Sequence, residues 1–377
     1  MTEINMLTTF LLSFSALYVL SALYLLSIRH PKKTNNSKKY KVSVLIAVRN
    51  EENFLRGCLQ ALSEQDYDSE MYDVFILDDD SSDRSAIIAK TFCDNFHNFH
   101  YTRIEKQHAG LKGKMNVLAQ ALQKLKGDLV LITDADCIVP PTWIDSITAY
   151  FDDNTGLIGS LTSLYPFAGI QSNQTEKVFH IVQTLDWFFL QAIARFSGNA
   201  GKPITVLGNN FAFNLKAYHE TGGFEKIGFS VTEDYALLRA IEKSGRWQIK
   251  YINDPRAAIF SYPLNSFKAF FLQRLRWIKG GKTTRPWAYF LMLTSFIAHL
   301  LLLITLIINP LNPLTILLLF FVFISDYQTI KGSLEKLKLN KLKTYFILFE
   351  GFYIIYTLLF SVYFLFPVKI KWKGRAL

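Results

Sequence analysis

Two aspartates, Asp134 and Asp136, follow an apolar run at residues 128–133 that has the length of a buried strand. Carboxylates in an Asp-x-Asp pattern suit a hard divalent cation, because Mg²⁺ and Mn²⁺ prefer oxygen ligands and often bind one or two carboxylates together with substrate phosphates. Aspartates at strand ends can also form turns or cap helices. The position directly after an apolar strand favours the metal site, so Mg²⁺ or Mn²⁺ is the predicted cofactor.

A second acidic group, formed by Asp78, Asp79 and Asp80, follows the apolar run at residues 74–77. The carboxyl ends of parallel strands meet at one edge of a sheet, and ligands bind beyond that edge where the strand order reverses. Both acidic groups are therefore expected at one site. For Asp80, a turn or capping role stays equally open.

The elements that must position these acids lie between residues 41 and 259, where short apolar runs alternate with helical stretches. This alternation is typical of βαβ units and predicts an α/β fold with a mostly parallel sheet covered by helices. The predicted strands cover residues 42–48, 74–77 and 128–133, and the predicted helices cover residues 49–62, 85–93 and 114–125.

Other phosphate-binding and catalytic motifs are incomplete. Gly113-Lys114 resembles the end of a P-loop, but His108 stands where its first glycine belongs and Met115 stands where Ser or Thr is needed. Thr232 replaces a glycine that a nucleophile elbow would require. The histidines lack zinc-type spacing. The sequence therefore favours neither a P-loop NTPase, nor an esterase-like hydrolase, nor a zinc enzyme.

The chain has 377 residues, 50% of them hydrophobic, and a formal net charge of +10. This composition excludes intrinsic disorder, and three cysteines without metal-ligand spacing predict packing residues in a reducing compartment. A basic surplus can indicate nucleic acid, an anionic membrane face or a phosphorylated substrate. The basic residues cluster beside apolar segments, so we expect membrane lipids as partners and no nucleic acid.

A transmembrane helix is predicted within residues 1–30, because the segment from Asn5 to Ile28 contains no charged residue and is long enough to cross a bilayer. By the positive-inside rule, a basic cluster after this helix places the amino terminus outside and the following domain in the cytoplasm. The cluster consists of Arg29, Lys32, Lys33, Lys38, Lys39 and Lys41.

Further apolar runs at residues 287–308, 314–324 and 345–366 predict a carboxyl-terminal transmembrane region of about three helices and a basic tail at residues 286–377. The middle run is short enough for a re-entrant or interfacial segment. Three crossings would place the basic tail outside, against the positive-inside rule. His299 and Glu350 lie within the apolar runs, and we expect a buried polar contact there rather than a transport path.

Six motifs, taken in order, resemble those of membrane-embedded glycosyltransferase family 2, which includes cellulose-synthase-like, hyaluronan-synthase-like and ceramide-glucosyltransferase-like enzymes. The resemblance covers roughly residues 40–285. It implies a GT-A nucleotide-sugar transferase domain at residues 40–262 and an interfacial helix at residues 263–285. The motifs are residues 44–51, residues 78–83, Gly113-Lys114, Asp134-Ala135-Asp136, Thr232-Glu233-Asp234 and Gln273-x-x-Arg276-Trp277.

For the donor, the resemblance implies that Asp78 and Asp79 contact the base and ribose of a nucleotide and that Lys114 also contacts the nucleotide. It further implies that Asp134 and Asp136 hold the metal ion on the diphosphate. Asp80 stands where a glycine is common in this family. UDP is the nucleotide expected from the family.

For the reaction, the resemblance implies that Asp234 is the catalytic base and that Arg276 contacts the diphosphate. Gln273 is expected to bind the nucleotide sugar. Trp277 and Glu233 are expected to border the acceptor. A base for the acceptor hydroxyl and positive charge for the departing diphosphate are what direct displacement needs, and an arginine suits bidentate phosphate contact. The loop Gly208-Asn209-Asn210-Phe211 is expected to face the acceptor.

The sequence therefore predicts an inverting glycosyltransferase in a bacterial inner or plasma membrane. It would use a UDP-linked sugar and a lipid or lipid-linked acceptor at the cytoplasmic face. Three alternatives stay open: a processive polysaccharide synthase with a glycan acceptor, a nucleotidyltransferase on the same sheet, and a catalytically inactive binding or transport subunit. Four predicted membrane helices are few for a self-contained polymer channel, which favours the lipid acceptor.

Overall fold

The computed structural model describes residues 2–34, 38–164, 174–281, 284–364, 371–372 and 375–376. The chain forms two compact units. The sheet unit contains His30–Ile170, Thr205–Pro263 and Lys371–Leu377, and the helical unit contains Met1–Arg29, Gln171–Ile204 and Leu264–Ile370.

The regular elements follow one another along the chain, with short 3-10 helices at Ser69–Met71, Pro255–Ala257 and Asn340–Tyr345. The helices are α1 (Thr2–Leu26), α2 (Leu55–Ser63), α3 (Ser85–Asn95), α4 (Gly113–Leu122), α5 (Trp143–Thr148), α6 (Gln174–Asn199), α7 (Leu215–Glu220), α8 (Gly223–Ile227), α9 (Glu233–Lys243), α10 (Phe267–Gly281), α11 (Pro286–Ile308), α12 (Pro313–Lys336) and α13 (Phe346–Phe364). The strands are β1 (Val42–Val48), β2 (Tyr72–Asp78), β3 (Phe99–Arg103), β4 (Leu129–Asp134), β5 (Cys137–Ile138), β6 (Thr155–Gly159), β7 (Thr162–Ser163), β8 (Asn210–Asn214), β9 (Gln248–Tyr251), β10 (Ile259–Ser261), β11 (Lys371–Trp372) and β12 (Arg375–Ala376).

A seven-stranded sheet in the order β3-β2-β1-β4-β8-β6-β9 forms the frame of the sheet unit. The strands β3, β2, β1 and β4 are parallel, and β8 runs antiparallel to both β4 and β6. This arrangement confirms the predicted α/β fold with a mostly parallel sheet. Asp78 is in register with Val48, and Asp134 is in register with Ala47. The end of β1 therefore lies between the two acidic groups.

The central strands are buried on both faces, which explains their near-continuous apolar sequences. Leu45 and Leu131 are fully inaccessible to solvent in β1 and β4. Burying one such side chain contributes about 1.5–3 kcal/mol. The core therefore holds the strand ends, and with them the acids, in fixed register.

The helix α2 begins at Leu55, whereas the sequence predicts its start at residue 49. Asn50 has a left-handed backbone with φ 53°. The backbone N–H groups of Asn50 and Glu51 donate to the hydroxyls of Ser81 and Ser85, at 3.1 and 2.8 Å. These N–H groups donate to the loop after β2 and to the first residue of α3, instead of to preceding carbonyl groups, so the helix does not begin directly after β1.

Four helical segments are long and apolar enough to cross a membrane: Thr8–Leu26, Pro286–Ile308, Pro313–Lys336 and Asn340–Phe360. The middle carboxyl-terminal run is longer than predicted, because helix α12 continues past Ile324 to Lys336. The helix begins where the side chain of Asn312 accepts hydrogen bonds from the N–H groups of Leu314 and Thr315.

Two further segments complete the comparison with the sequence. The helical unit also contains α6, a 26-residue helix that the sequence analysis does not predict. At the carboxyl end, Trp372 pairs with Arg375 in the antiparallel β11-β12 ladder. Residues 373 and 374 of the basic tail lie outside the described residues.

Close packing at Gly156 generates a test of the sheet unit. A Cβ atom at this position would lie 2.5 Å from the Cβ atom of Trp247 and 2.9 Å from a methyl carbon of Ile241. We expect Gly156→Ala to lower the free energy of unfolding by about 1–3 kcal/mol through overpacking, measured as a lower thermal midpoint in detergent. The control is Gly332→Ala in α12, where nothing lies within 4 Å. A thermal midpoint of Gly156→Ala equal to that of the wild type would contradict close packing at Gly156.

Candidate active site

The ammonium group of Lys114 lies at the centre of the candidate site, at the carboxyl edge of the sheet. The residue belongs to the first turn of α4. Its Nζ donates to Asp134 Oδ1 at 2.7 Å and to the backbone carbonyl of Gly208 at 2.9 Å, and it forms an ion pair with Glu233 Oε1 at 3.1 Å. One cation therefore links the end of β4, the loop before β8 and the start of α9.

The charge on Lys114 is stable over the whole physiological range. Burial alone would lower the pKa of this amine, but the nearby charges of Asp134 and Glu233, with a smaller contribution from Asp234, raise it well above its ordinary value. Lys114 is thus a fixed positive charge and cannot act as a proton donor or acceptor near neutral pH.

Asp234 is placed beside Lys114 by the first turn of α9 and by the glycine at position 208. Its Oδ1 accepts a hydrogen bond from the N–H of Tyr235 at 2.7 Å. A Cβ atom on Gly208 would lie 2.8 Å from Asp234 Oδ2. A residue with a side chain at position 208 would therefore displace the carboxylate, so the glycine is needed for close approach.

The predicted metal ligands Asp134 and Asp136 lie at and just beyond the end of β4. The side chain of Asp134 is 39% exposed, so a ligand can reach it beside Lys114. Burial first, and then the charges of Asp136 and Asp134, raise the pKa values of the Cys58 and Cys137 thiols. Two carboxylates that create a negative potential at an accessible strand end are a donor set that fits Mg²⁺ or Mn²⁺.

Asp78 is fully buried and both of its carboxylate oxygens accept hydrogen bonds within the protein. Oδ1 accepts from the N–H of Ser81 at 2.8 Å, and Oδ2 accepts from the Tyr101 hydroxyl at 2.7 Å. Burial and the bond to Asp78 raise the pKa of Tyr101 to about 12. Asp78 therefore shapes the loop after β2, a role that the sequence motif alone does not reveal.

The next two acids make different contacts. Asp79 is buried and lies 3.8 Å from Nη1 of Arg49. Asp80 has a left-handed backbone with φ 57°, and its carboxylate accepts a hydrogen bond from Arg103 at 2.5 Å. A left-handed position explains why glycine is common there in the family that the motifs resemble, and the backbone bends at Asp80.

Gln273, Arg276 and Trp277 lie on α10 in the helical unit, and the residue between them, Arg274, makes the buried contacts. Arg274 is 4% exposed and forms an ion pair with Asp186 of α6. Its guanidinium lies 4.1 Å from the centre of the Trp277 ring. Arg274 thus fixes Trp277 and one face of the motif. The Gln-x-x-Arg-Trp motif does not predict this role of Arg274. An indication in the sequence was the acidic residue Asp186, which lies in the segment that forms α6.

The structure thus brings Lys114, Asp134, Glu233 and Asp234 together in the sheet unit. Gly208, which the sequence placed only in a loop expected to face the acceptor, contacts Lys114 and lies beside Asp234. A family model described as Glycosyl transferase family 21 matches residues 7–377. The chain belongs to this family. Membership confirms a glycosyltransferase and refines the family 2 resemblance drawn from the motifs.

Individual relatives of this family 21 chain agree with that assignment. The chain is 24% identical to a probable glycosyltransferase, YdaM, of Bacillus subtilis, over 91% of this chain and 88% of that protein. It is 26% identical to the beta-monoglucosyldiacylglycerol synthase of Trichormus variabilis, over 67% of this chain. The match spans 51% of that synthase, about half its length.

A solved structure supports the fold. The mannosyltransferase PcManGT of Pyrobaculum calidifontis, described in complex with GDP-Man and Mn²⁺, matches with a TM-score of 0.57 and 16% sequence identity. The match covers 93% of this chain and 97% of that chain. At this identity the likeness shows the fold alone, and it confirms the predicted GT-A architecture.

The contact between Gly208 and Asp234 gives a test of the site geometry. We expect Gly208→Ala to lower the rate of sugar transfer by about 10- to 100-fold, because the added methyl group displaces the carboxylate. The thermal midpoint should change little, because the displaced group is the end of a side chain. In an Asp234→Asn background the same substitution should cause no further loss. A further loss of similar size in that background would show that Gly208 acts independently of Asp234.

The ion pairs of Lys114 give a second test. Lys114→Met leaves neighbouring carboxylates without their cation, and we expect the free energy of unfolding to fall by about 2 kcal/mol. Added Mn²⁺ should raise the thermal midpoint of this variant more than that of the wild type, because a divalent ion restores the positive charge. The matched control is Lys250→Met, since Lys250 is similarly buried and pairs with Asp152 at 2.7 Å. An equal Mn²⁺ effect in both variants would contradict a cation site near Lys114.

Proposed function

We propose that this family 21 enzyme transfers a sugar from a nucleotide-diphosphate sugar of the UDP class to the hydroxyl group of a membrane lipid, with inversion at the anomeric carbon. The observation that carries the proposal is the cluster at the sheet edge, where Lys114 joins Asp134 to Glu233 beside Asp234. The same chain contains four helical segments of membrane-spanning length.

Asp234 is the general base of the proposed reaction. Its carboxylate takes the proton of the acceptor hydroxyl while that oxygen forms a bond to the anomeric carbon. The bond between this carbon and the diphosphate oxygen breaks, and its electron pair leaves with the nucleoside diphosphate. A single displacement with no enzyme-linked sugar inverts the configuration, so an α-linked donor gives a β-linked product.

The donor binds at the carboxyl edge of the sheet in this proposal. Asp134 and Asp136 hold Mg²⁺ or Mn²⁺, which when bound supplies positive charge to the diphosphate. Lys114 keeps Asp134 and Glu233 in place with a charge that does not titrate near neutral pH. The loop shaped by Asp78 carries Asp79 to the nucleoside.

Residues of the Gln-x-x-Arg-Trp motif, together with Glu233, complete the proposed site. Gln273 and Arg276 contact the departing diphosphate, where a guanidinium can make two parallel hydrogen bonds. Trp277 and Glu233 border the acceptor. The support for these roles is the ordered motif together with the rigid setting of Trp277 against Trp187, with ring centres 5.2 Å apart.

A lipid acceptor at the cytoplasmic face of a bacterial membrane is supported by two observations. One relative bears the name beta-monoglucosyldiacylglycerol synthase, and the chain contains four candidate membrane helices. The basic segment after α1 favours the cytoplasmic side. The part of this basic segment after Arg29 belongs to the sheet unit, where Lys33 pairs with Asp254 at 3.2 Å.

The experiment uses the full chain in nanodiscs of native lipids with Mn²⁺ and a panel of radiolabelled nucleotide sugars. Products are partitioned between organic and aqueous phases. We expect label in the organic phase with one UDP-sugar, and a loss of at least about 1,000-fold in Asp234→Asn, which lacks the base. The control variant is Asp153→Asn, since Asp153 is exposed in the same unit and should leave the activity unchanged.

Other outcomes would decide against parts of the proposal. Label in an aqueous polymer of high mass would identify a processive polysaccharide synthase. Full activity in Asp234→Asn would contradict the assignment of Asp234 as the general base. No transfer by the wild type with any donor and added lipid extract would contradict the lipid acceptor and favour an inactive subunit.

A further inference from the structure

Three ionisable side chains that belong to none of the sugar-transfer motifs meet inside the helical unit. His299 of α11, Asp326 of α12 and Glu350 of α13 are 2%, 1% and 6% exposed. One nitrogen or oxygen atom of each lies within 4.8 Å of the others. Each residue comes from a different helix of membrane-spanning length, so ionisable groups here are costly and need a specific partner.

The orientation of the histidine ring directs one nitrogen at both carboxylates. Nδ1 lies 2.7 Å from the backbone carbonyl of Ser295, which can only accept, so Nδ1 carries a hydrogen and donates it. Nε2 then faces Asp326 Oδ2 at 3.2 Å and Glu350 Oε1 at 3.4 Å. An Nδ1–H bond to a carbonyl, with Nε2 turned toward other ligand atoms, is the usual orientation of a metal-bound histidine.

The distances fit a shared metal ion better than direct ion pairs. Charge-assisted hydrogen bonds between nitrogen and carboxylate oxygen are about 2.7–2.9 Å long. Both distances from Nε2 of His299 are longer. In a tetrahedral site with bonds of about 2.0–2.1 Å, neighbouring ligand atoms lie about 3.3 Å apart. The two measured separations lie on either side of this value.

The charges of the cluster also favour a divalent cation. Among the described residues, neither Asp326 nor Glu350 pairs with a lysine or an arginine. When both carboxyl groups are ionised, a protonated histidine between them leaves one uncompensated negative charge in apolar surroundings, whereas a neutral histidine with a divalent cation leaves none. Oε2 of Glu350 is buried and has no hydrogen-bond partner within the described part of the chain, so it can also bind the ion.

Surrounding groups hold the ligands in place, as metal sites require. The hydroxyl group of Tyr18, on α1, donates to Oδ1 of Asp326. The hydroxyl of Tyr353 lies 3.0 Å from that of Ser295, the residue whose carbonyl orients His299. All four candidate membrane helices therefore contribute to the cluster.

We propose that His299, Asp326 and Glu350 bind a divalent transition-metal ion of the Zn²⁺ class, and that this ion is structural. The mixture of one imidazole and two carboxylates suits Zn²⁺, and the burial of all three ligand residues suits a structural ion. This site is separate from the predicted catalytic ion at Asp134 and Asp136. It does not depend on the proposed function.

The test is the metal content of the full chain, produced in zinc-supplemented cells, purified through a tag that binds no metal, and washed with EDTA. Mass spectrometry of all first-row metals should give about one ion per chain in the wild type and in Asp136→Asn. His299→Gln and Asp326→Asn should retain at least ten-fold less. His180→Gln, at another buried histidine of the helical unit, should retain the metal.

A second measurement needs no variant. X-ray absorption of the wild-type protein should show nitrogen and oxygen ligands at about 2.0–2.1 Å, scattering from one imidazole ring and no sulfur. A wild-type protein with less than a tenth of an ion per chain would overturn the proposal and leave shared protons as the link among the three groups. Sulfur ligands, or full metal content in His299→Gln, would overturn it as well.

Discussion

The candidate site depends on one partly buried cation that offsets several carboxylates at a single sheet edge. Without the ammonium group of Lys114, Asp134 and Glu233 would repel each other and neither would hold its position. The same group fixes the carbonyl of Gly208, which in turn leaves room for Asp234. Placement of the proposed base therefore depends on a lysine that takes no part in proton transfer.

The parallel part of the sheet is the reason why these charges meet. Strands β2, β1 and β4 end at the same level, so acids that are 56 residues apart in sequence, Asp78 and Asp134, lie on either side of β1. The reversal at β8 then brings a loop from a distant part of the chain back to this edge. A site of this kind needs a rigid core, and the fully buried strands supply it.

This part of the fold could be predicted from the sequence, because apolar runs and strand-end acids are local signals. Strand β1 occurs at the predicted residues, and β4 is shifted by one. The start of α2 and the role of Gly208 could not be predicted, because both depend on contacts with loops far along the chain. The continuation of α12 past Ile324 could not be predicted either. Asp326 ends the apolar run in the sequence, and the groups that stabilise it within the helix, Tyr18 and His299, lie on other helices.

Tyr18 and Asp326 bind each other across 308 residues of sequence, and this separation has a consequence for biosynthesis. Synthesis proceeds from the amino terminus, so α1, a candidate membrane helix, is made before the whole sheet unit. An aspartate at the centre of a membrane helix costs about 2.5–3.5 kcal/mol on insertion. When α12 is made, the hydroxyl of Tyr18 is already available to donate to that acid. The first helix thus serves as an assembly partner for the last three, and a protein lacking it would insert an acidic residue without its hydrogen-bond donor.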